Sequence, residues 1–294
     1  MSQYIIPSPA KINLFLKVIS RYANNFHEIE SVMSFIDLYD YMKINITQSS
    51  TNSDISINTI SDLDINDINS NNILYKIHRY FADNYPIKYN FKIDLYKNIP
   101  LGSGLGGAST NAAQFMRFLN KICNLKISNS QLQKISFNFG SDIAFFLNNY
   151  SSIVRECGNI STYYSNSSKQ DILLIYPNIN ISTAKIFSLF GNKFSSKTSD
   201  NSINNCNQLE LVANFKNDLE NIVLENYPEI YEFRNYFLEL DPDILKMSGS
   251  GSSFFAIFKN NKLLNNALIN ISSKYPDFLV RKCQILKQYD IKTI

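Results

Sequence analysis

Four glycines between residues 102 and 107 form the segment of this sequence most suited to chemistry. Seven of the nine glycines in the chain fall in three short segments, which indicates backbone positions that no side chain could occupy. A glycine loop that opens a helix binds phosphates through its backbone N–H groups and the helix dipole. We therefore predict a nucleotide-phosphate loop, with Ser109 or Thr110 as the helix cap. Its residues are Pro100, Leu101, Gly102, Ser103, Gly104, Leu105, Gly106, Gly107, Ala108, Ser109 and Thr110.

This loop differs from three other nucleotide-binding motifs. A Walker A loop ends in Gly-Lys-Ser/Thr, whereas Ala108 follows Gly107 here. The dinucleotide fingerprint needs an acidic residue about 20 positions after its glycines, and none occurs between Asp94 and Asp142. A protein kinase needs an HRD sequence, which neither of the two histidines begins. A purely structural glycine turn remains the alternative to a phosphate loop.

Periodic apolar residues predict the elements that position the loop. An alternating strand at 91–96 leads into it, and a helical pattern from Ala112 to Cys123 leads out. The pattern also predicts strands at 9–19, 171–176 and 253–258, a helix at 70–84, helical structure at 209–239, short strands and loops at 41–72, and a surface loop at 192–207. The predicted fold class is α+β with two lobes, divided into residues 1–160 and 161–294.

Composition limits the ligands and location that we expect. The 294 residues carry a net charge of only +3 and no Lys/Arg run, which disfavours a nucleic-acid partner. No segment approaches the roughly 18 apolar residues of a membrane span, and the N-terminus lacks a signal-peptide pattern. The four cysteines form no CxxC pair, so a disulfide frame or zinc site is not expected. A cytoplasmic protein with small-molecule ligands and no membrane partner is predicted.

Together these segments resemble the three motifs of the GHMP kinases, a family of small-molecule kinases. Pro100–Thr110 is similar to the family's Pro-x-x-x-Gly-Leu-Gly-Gly-(Gly/Ala)-Ser-Ser, with Thr110 for the second Ser. Met247–Gly251 resembles the Met-Ser-Gly-Ser-Gly turn. Pro9–Leu16 resembles the first motif of the diphosphocytidyl-methylerythritol kinase branch. The tract Arg21–Glu28 is similar to that branch's Arg-Arg-x-Asp-Gly-Tyr-His-Glu, with Asn24-Asn25 for Asp-Gly and Phe26 for Tyr.

The resemblance implies roles for particular side chains. Asp142, in a segment similar to Gly-(Ser/Ala)-Asp-(Val/Ile)-Pro-Phe-Phe, would be the general base. Lys11 would hold that carboxylate and stabilise negative charge, and Lys97 would help to orient the nucleotide. The implied substrate-binding residues are Asn13, Phe26, His27, Thr183, Phe187, Gly249 and Ser250, with both phenylalanines against a cytosine and His27 at its edge.

Each of these residues also has an ordinary structural interpretation. Taken alone, Lys11 is a solvated strand lysine, Asp142 a helix N-cap, His27 a surface or core histidine and Phe187 a core residue. The segment Asn217–Glu220 resembles a helix segment of the branch and is expected to be structural.

The implied activity is ATP-dependent phosphorylation of the 2-hydroxyl of 4-diphosphocytidyl-2-C-methyl-D-erythritol, in the non-mevalonate route to isoprenoid precursors. Mg²⁺ is expected with ATP, held mainly by phosphate oxygens and water, with Ser109 or Thr110 adding an oxygen. The implied fold has an N-terminal lobe like the second domain of ribosomal protein S5 and a ferredoxin-like C-terminal lobe, in a monomer or homodimer. Two alternatives remain: a GHMP kinase for mevalonate or homoserine, and a catalytically inactive nucleotide-binding homologue.

Overall fold

The computed structural model describes residues 2–50, 52–61 and 72–289. The predicted helix over 70–84 is found as α1, Ile73–Asn84, within the described part. Residues 70 and 71 of the predicted helix lie outside the described residues. The same is true of residues 62–71 in the segment predicted to form short strands and loops.

A long antiparallel hairpin forms the frame of the molecule. Strand β1 spans Ser2–Arg21 and β2 spans His27–Gln48, so the strand predicted at 9–19 is the middle of a longer one. The prediction of only short strands and loops from residue 41 is wrong as far as residue 48. There, buried Met42 and Ile44 alternate with the more exposed Lys43 and Asn45. This period of two is typical of a strand with one face on the core.

The remaining strands join this hairpin in one mixed sheet. They are β3 Ile55–Ile60, β4 Tyr89–Tyr96, β5 Ser152–Glu156, β6 Ile160–Tyr163, β7 Gln170–Tyr176, β8 Ile244–Met247, β9 Phe254–Ile257 and β10 Leu279–Ile285. The main path runs β3-β4-β2-β10-β7-β9-β8. Strand β1 pairs with β2 from His27 to Ile46, β5 pairs with β2 from Ile29 to Met33, and β6 pairs with β5. Strands β3 and β4 are parallel and the other pairs are antiparallel.

Helices cover the sheet in both halves of the chain. In the first half, α2 spans Gly107–Ile122, α3 Asn129–Ser136 and α4 Ile143–Phe146. In the second half are α5 Thr183–Leu189, α6 Asp200–Asn205, α7 Gln208–Asn214, α8 Glu220–Asn226, α9 Pro228–Leu238 and α10 Asn261–Lys274. The predicted α+β class is confirmed. Within the described chain, no helix is both long and apolar enough to cross a membrane.

Three clusters of buried apolar residues make up the core. One lies between β1–β4 and the helices of the first half, and another joins β7–β9 to the helices of the second half. The third contains residues of both halves, including Phe15 of β1 and Phe255 of β9. A shared cluster and a shared sheet hold the two halves in contact, while the boundary at residue 160 stays a prediction.

Two predictions for the second half need correction. The segment 192–207, predicted as a surface loop, contains α6, whose Ile203 is fully buried. A single inward apolar residue among polar ones leaves no periodic signal in the sequence. The helical structure predicted at 209–239 is present but divided into α7, α8 and α9. Helix α9 begins at Pro228, which suits a first helical position because proline has no N–H to satisfy there.

Candidate active site

A cleft of about 880 Å³ lies where the glycine loop, the β1–β2 hairpin, α5 and the turn after β8 meet. Most of the residues predicted from the sequence line it: Lys11, Asn13, Phe26, His27, Pro100, Leu101, Gly102, Ser103, Gly104, Gly106, Gly107, Ala108, Ser109, Asp142, Thr183, Phe187, Gly249 and Ser250. Three predicted residues, Lys97, Leu105 and Thr110, are not among its lining residues. Each of these three is buried.

The glycine loop begins its helix earlier than predicted. The N-cap of α2 is Gly106, in the left-handed region with φ 75°, and it makes no side-chain cap hydrogen bond. Ser109 and Thr110 therefore lie inside the first turn, and the prediction that one of them caps the helix is wrong. Because the first N–H groups of a helix have no intrahelical acceptor, the loop presents donors to an anion in the cleft.

Neighbouring segments hold the loop through its carbonyl oxygens. The backbone N–H of Lys11 donates to the carbonyl of Leu105 at 3.0 Å. The hydroxyl of Ser248 donates to the carbonyl of Gly104 at 3.1 Å. These bonds occupy two carbonyl oxygens of the loop and fix its backbone against β1 and the turn after β8.

Gly104→Ala is expected to lower the free energy of unfolding by about 1–3 kcal/mol and to weaken ATP binding about tenfold or more. Gly104 has φ +76°, and a Cβ there would lie 2.2 Å from the carbonyl oxygen of Ser248. Thermal unfolding and calorimetric titration with ATP measure the two effects. Gly191→Ala is the matched control, because nothing lies within 4 Å of its added carbon. Equal behaviour of the two variants would contradict a close-packed loop.

Lys11 and Asp142 form an ion pair at the floor of the cleft. Lys11 Nζ lies 3.7 Å from Asp142 Oδ2, with the two side chains 3% and 30% exposed. Burial lowers the pKa of Lys11 below its ordinary value of 10.5, and the neighbouring Asp142 partly opposes this shift. Asp142 occupies the N-cap position of α4 but makes no cap hydrogen bond. Its carboxylate is therefore directed at Lys11 and the cleft instead of at the helix.

A chain of hydrogen bonds fixes the direction of the Lys11 side chain. Lys11 Nζ donates to Asn13 Oδ1 at 2.5 Å, and Asn13 Nδ2 donates to Ser31 Oγ at 2.8 Å. A Cβ on Gly249 would lie 3.3 Å from both Lys11 Nζ and Asn13 Oδ1. At Gly249 the turn after β8 therefore lies so close to the lysine that a side chain at this position would crowd it.

The segment Asn217–Glu220 supports that turn, in agreement with its expected structural role. Asn217 Nδ2 donates to the carbonyls of Met247 and Gly249 at 2.9 and 2.8 Å. The backbone N–H of Met247 donates to Glu220 Oε2 at 3.2 Å. Ser250 of the turn lies 2.8 Å, oxygen to oxygen, from the hydroxyl of Thr183 at the start of α5.

Aromatic rings line the end of the cleft formed by the β1–β2 hairpin. His27 stacks on Phe187, with ring centroids 5.1 Å apart and an interplanar angle of 29°. His27 is 7% exposed, and its buried Nε2 has no hydrogen-bond partner in the part of the chain that the structure describes. Burial lowers the pKa of His27, with a smaller effect of Arg21 in the same direction. Phe26, in contrast, is 57% exposed and free to contact a ligand.

Other residues of the cleft were missed by the sequence analysis. They are Leu16, Arg21, Asn24, Asn25, Ile29, Met33, Ser141, Cys157, Ala184 and Ser188. Arg21 is the direct cross-strand partner of His27. Side chains of such a pair project to the same face of the sheet, so a correct prediction of β2 would have placed Arg21 at the cleft.

The acidic side chains do not form a metal centre by themselves. Among residues 2–50, 52–61 and 72–289, no group of three or more His, Cys, Asp or Glu side chains could hold a metal ion. Ser109 lines the cleft, whereas the buried Thr110 hydroxyl finds no partner among those described residues. The donor set fits a Mg²⁺ ion that arrives bound to the phosphates of a nucleotide.

Comparison with known proteins agrees with the motifs. A family model described as "GHMP kinases N terminal domain" matches residues 72–149. A second model, "GHMP kinases C terminal", matches residues 203–277. The 4-diphosphocytidyl-2-C-methyl-D-erythritol kinase of Prochlorococcus marinus (strain MIT 9215) is 35% identical over 287 residues, which cover 92% of this chain and 90% of that protein.

Solved structures share the fold. The crystal structure of a 4-(cytidine 5'-diphospho)-2C-methyl-D-erythritol kinase matches with a TM-score of 0.78 and 21% identity, over 97% of this chain and 100% of that one. A homoserine kinase from Cytophaga hutchinsonii matches with a TM-score of 0.68 and 14% identity, over 98% and 96% of the two chains.

Proposed function

The chain belongs to the GHMP kinase family, and on that premise we propose that it phosphorylates the 2-hydroxyl of 4-diphosphocytidyl-2-C-methyl-D-erythritol. This reaction supplies the non-mevalonate route to isoprenoid precursors. One observation carries the choice of substrate: the same cleft contains a phosphate loop, the Lys11–Asp142 pair, and His27 stacked on Phe187 with an unpaired ring nitrogen. Neither mevalonate nor homoserine has a base to occupy that aromatic end.

ATP is the phosphoryl donor in this family, and its phosphates fit the loop from Pro100 to Ser109. The loop's free N–H groups and the start of α2 would hold them. Mg²⁺ would be held by phosphate oxygens and water, with Ser109 able to add a hydroxyl oxygen and Asp142 nearby in the cleft. When bound there, the ion would supply positive charge to neutralise the transferring phosphoryl group.

Asp142 removes the proton, and Lys11 stabilises the negative charge. As the 2-hydroxyl oxygen bonds to the γ-phosphorus, Asp142 accepts the hydroxyl proton and ADP leaves. Lys11 holds that carboxylate in an ion pair, and its ammonium stabilises negative charge on the phosphoryl oxygens. Lys11 is held in place by its hydrogen bond to Asn13 and by the turn at Gly249.

The aromatic end of the cleft would recognise the cytosine. Phe26 and Phe187 offer ring faces for stacking, and His27 offers a nitrogen for the edge of the base. Because burial lowers the pKa of His27, the ring stays neutral over a wider pH range and keeps one donor and one acceptor.

A cytoplasmic location and a monomeric or homodimeric state stay predictions.

His27→Ala is expected to raise the KM of the cytidyl substrate about 10- to 100-fold while the KM of ATP changes little, because a directed hydrogen bond and a stacking surface are lost. Steady-state kinetics with each substrate varied in turn measure the difference. Ser188→Ala, an exposed position at the same end of the cleft, is the control. Equal losses for both substrates would show that His27 acts only in the fold.

A coupled ADP-release assay tests the proposed function. ATP and Mg²⁺ are supplied with the cytidyl substrate, with mevalonate or with homoserine. Turnover with the cytidyl substrate alone is the expected result. Turnover with either other alcohol would overturn the substrate assignment within the family. Folded protein that binds ATP and phosphorylates none of the three would favour a catalytically inactive nucleotide-binding homologue.

A further inference from the structure

We propose that Asp40, outside the cleft, is a positioning residue that ties together both ends of the phosphate loop and thereby sets the affinity for ATP. The inference depends on the proposed function only for the identity of the nucleotide. Asp40 lies in β2 and is fully buried. Four donors converge on its carboxylate, and they belong to the two chain segments that enter and leave the loop.

One carboxylate oxygen holds the entrance of the loop. Asp40 Oδ1 accepts hydrogen bonds from the backbone N–H groups of Asn98 at 2.7 Å and Ile99 at 2.8 Å. These residues immediately precede Pro100, where the loop begins. A charged acceptor that binds two successive backbone donors defines the path of the chain at this point.

The other oxygen holds the exit of the loop. Asp40 Oδ2 accepts from Asn111 Nδ2 at 3.0 Å, and Asn111 lies at the start of α2. The same oxygen also accepts from Lys97 Nζ. The two oxygens therefore connect the strand that enters the loop with the helix that leaves it, a link that no backbone hydrogen bond replaces among the described residues.

Lys97 takes part in this link and not in lining the cleft. Its side chain is 2% exposed, and burial lowers its pKa although Asp40 acts in the opposite direction. A Cβ on Gly107 would lie 3.1 Å from Lys97 Nζ. The ammonium thus lies beneath the first residue of α2, so Lys97 is positioned to influence the nucleotide through the loop and not by direct contact.

Stability alone is a weak explanation for this arrangement. A buried ion pair loses the hydration of both charges, and apolar residues of similar volume often stabilise a fold equally well. Phosphate-binding N–H groups, in contrast, must keep their direction before the ligand arrives, since a small displacement weakens every bond to it. A carboxylate with four convergent donors provides that rigidity.

Asp40→Asn removes one half of the link and keeps the other. Asparagine keeps one oxygen for Asn98 and Ile99, but its NH₂ group cannot accept from Lys97 or Asn111. We expect the Kd of ATP to rise about 10- to 100-fold, as follows from losing hydrogen bonds to a charged group. The KM of the cytidyl substrate is expected to change less than about threefold, the scale of a lost contact below 1 kcal/mol.

Calorimetric titration with ATP, in the absence of any acceptor, measures the Kd of ATP. This Kd does not depend on which acceptor the protein phosphorylates. Glu30→Gln is the matched control, because Glu30 is another buried carboxylate that instead binds Lys17, Arg155 and the N–H of Thr198. We expect Glu30→Gln to lower Tm without changing the Kd of ATP. An unchanged Kd in Asp40→Asn, or an equal rise in Glu30→Gln, would overturn the proposal.

Asn111→Ala keeps the inference testable if Asp40→Asn does not fold. This variant removes only the bond to α2, and it should raise the Kd of ATP several-fold while the KM of the cytidyl substrate stays constant. A wild-type Kd in folded Asn111→Ala would overturn the role of the link. Wild-type protein that binds ATP but phosphorylates no cytidyl substrate would defeat the proposed acceptor and leave this test intact.

Discussion

Asp142→Asn is expected to lower kcat by about 10²- to 10⁴-fold, the usual contribution of a positioned general base. The amide is nearly the same size as the carboxylate but cannot accept the proton of the 2-hydroxyl. The carboxylate makes no cap hydrogen bond in α4, so its loss should leave the helix in place. Single-turnover and steady-state kinetics measure the chemical step, and calorimetry should show ATP binding close to that of the wild type.

Asp83→Asn is a suitable control for this variant. Asp83 is an exposed acid of α1 that does not line the cleft. It should retain wild-type kcat and the same Tm. If Asp142→Asn kept a kcat within a few-fold of the wild type, Asp142 would have to be removed from the chemical step.

Lys11→Met is expected to reduce kcat by about 10²- to 10³-fold, as is typical when one preorganised charge-stabilising group is lost. The Lys11 side chain is 3% exposed and its ammonium lies 3.7 Å from Asp142, so this variant removes the positive charge that lies beside the carboxylate. Methionine keeps most of the volume of the lysine stem, which limits the structural damage. Kinetics at saturating ATP and acceptor report the loss.

The pH profile distinguishes a charge role of Lys11 from a packing role. Because burial lowers the pKa of Lys11 below 10.5, activity should fall as pH rises through a value below the ordinary lysine range. Lys11→Arg carries a charge that persists at high pH, so whatever activity remains should lose this alkaline decline. An identical decline in Lys11→Arg would assign it to another group.

Two kinds of signal predicted the proposed site residues. Glycines clustered in a glycine-poor chain indicated the phosphate loop, whereas Lys11 and Asp142 were predicted because their segments resemble motifs of a family. The structure brings Lys11, Asp142 and the loop together in one cleft although they are far apart in the chain. Motif order predicted this meeting only through resemblance to a family, since spacing along a sequence does not specify distances in space.

The supporting residues were harder to predict because their signals depend on contacts between distant segments. Asp40 is one acid within a strand that the sequence pattern did not identify, and its four donors come from residues 97–111. Ile203 gives α6 its only buried residue, so the helix depends on packing rather than on periodicity. The sequence predicts that Lys97 helps to orient the nucleotide, whereas in the structure its buried ammonium binds Asp40.

The sequence by itself determined the α+β class, because apolar periodicity is a local signal. Its glycine cluster and its resemblance to a family predicted the phosphate loop and the reacting side chains. Only the tertiary structure decided how those side chains are used. It pairs Lys11 with Asp142, stacks His27 on Phe187, and places Lys97 beneath the loop instead of in the cleft. The physical reason is that burial, ion pairing and hydrogen-bond direction arise from segments more than 50 residues apart, as between Asp40 and Lys97.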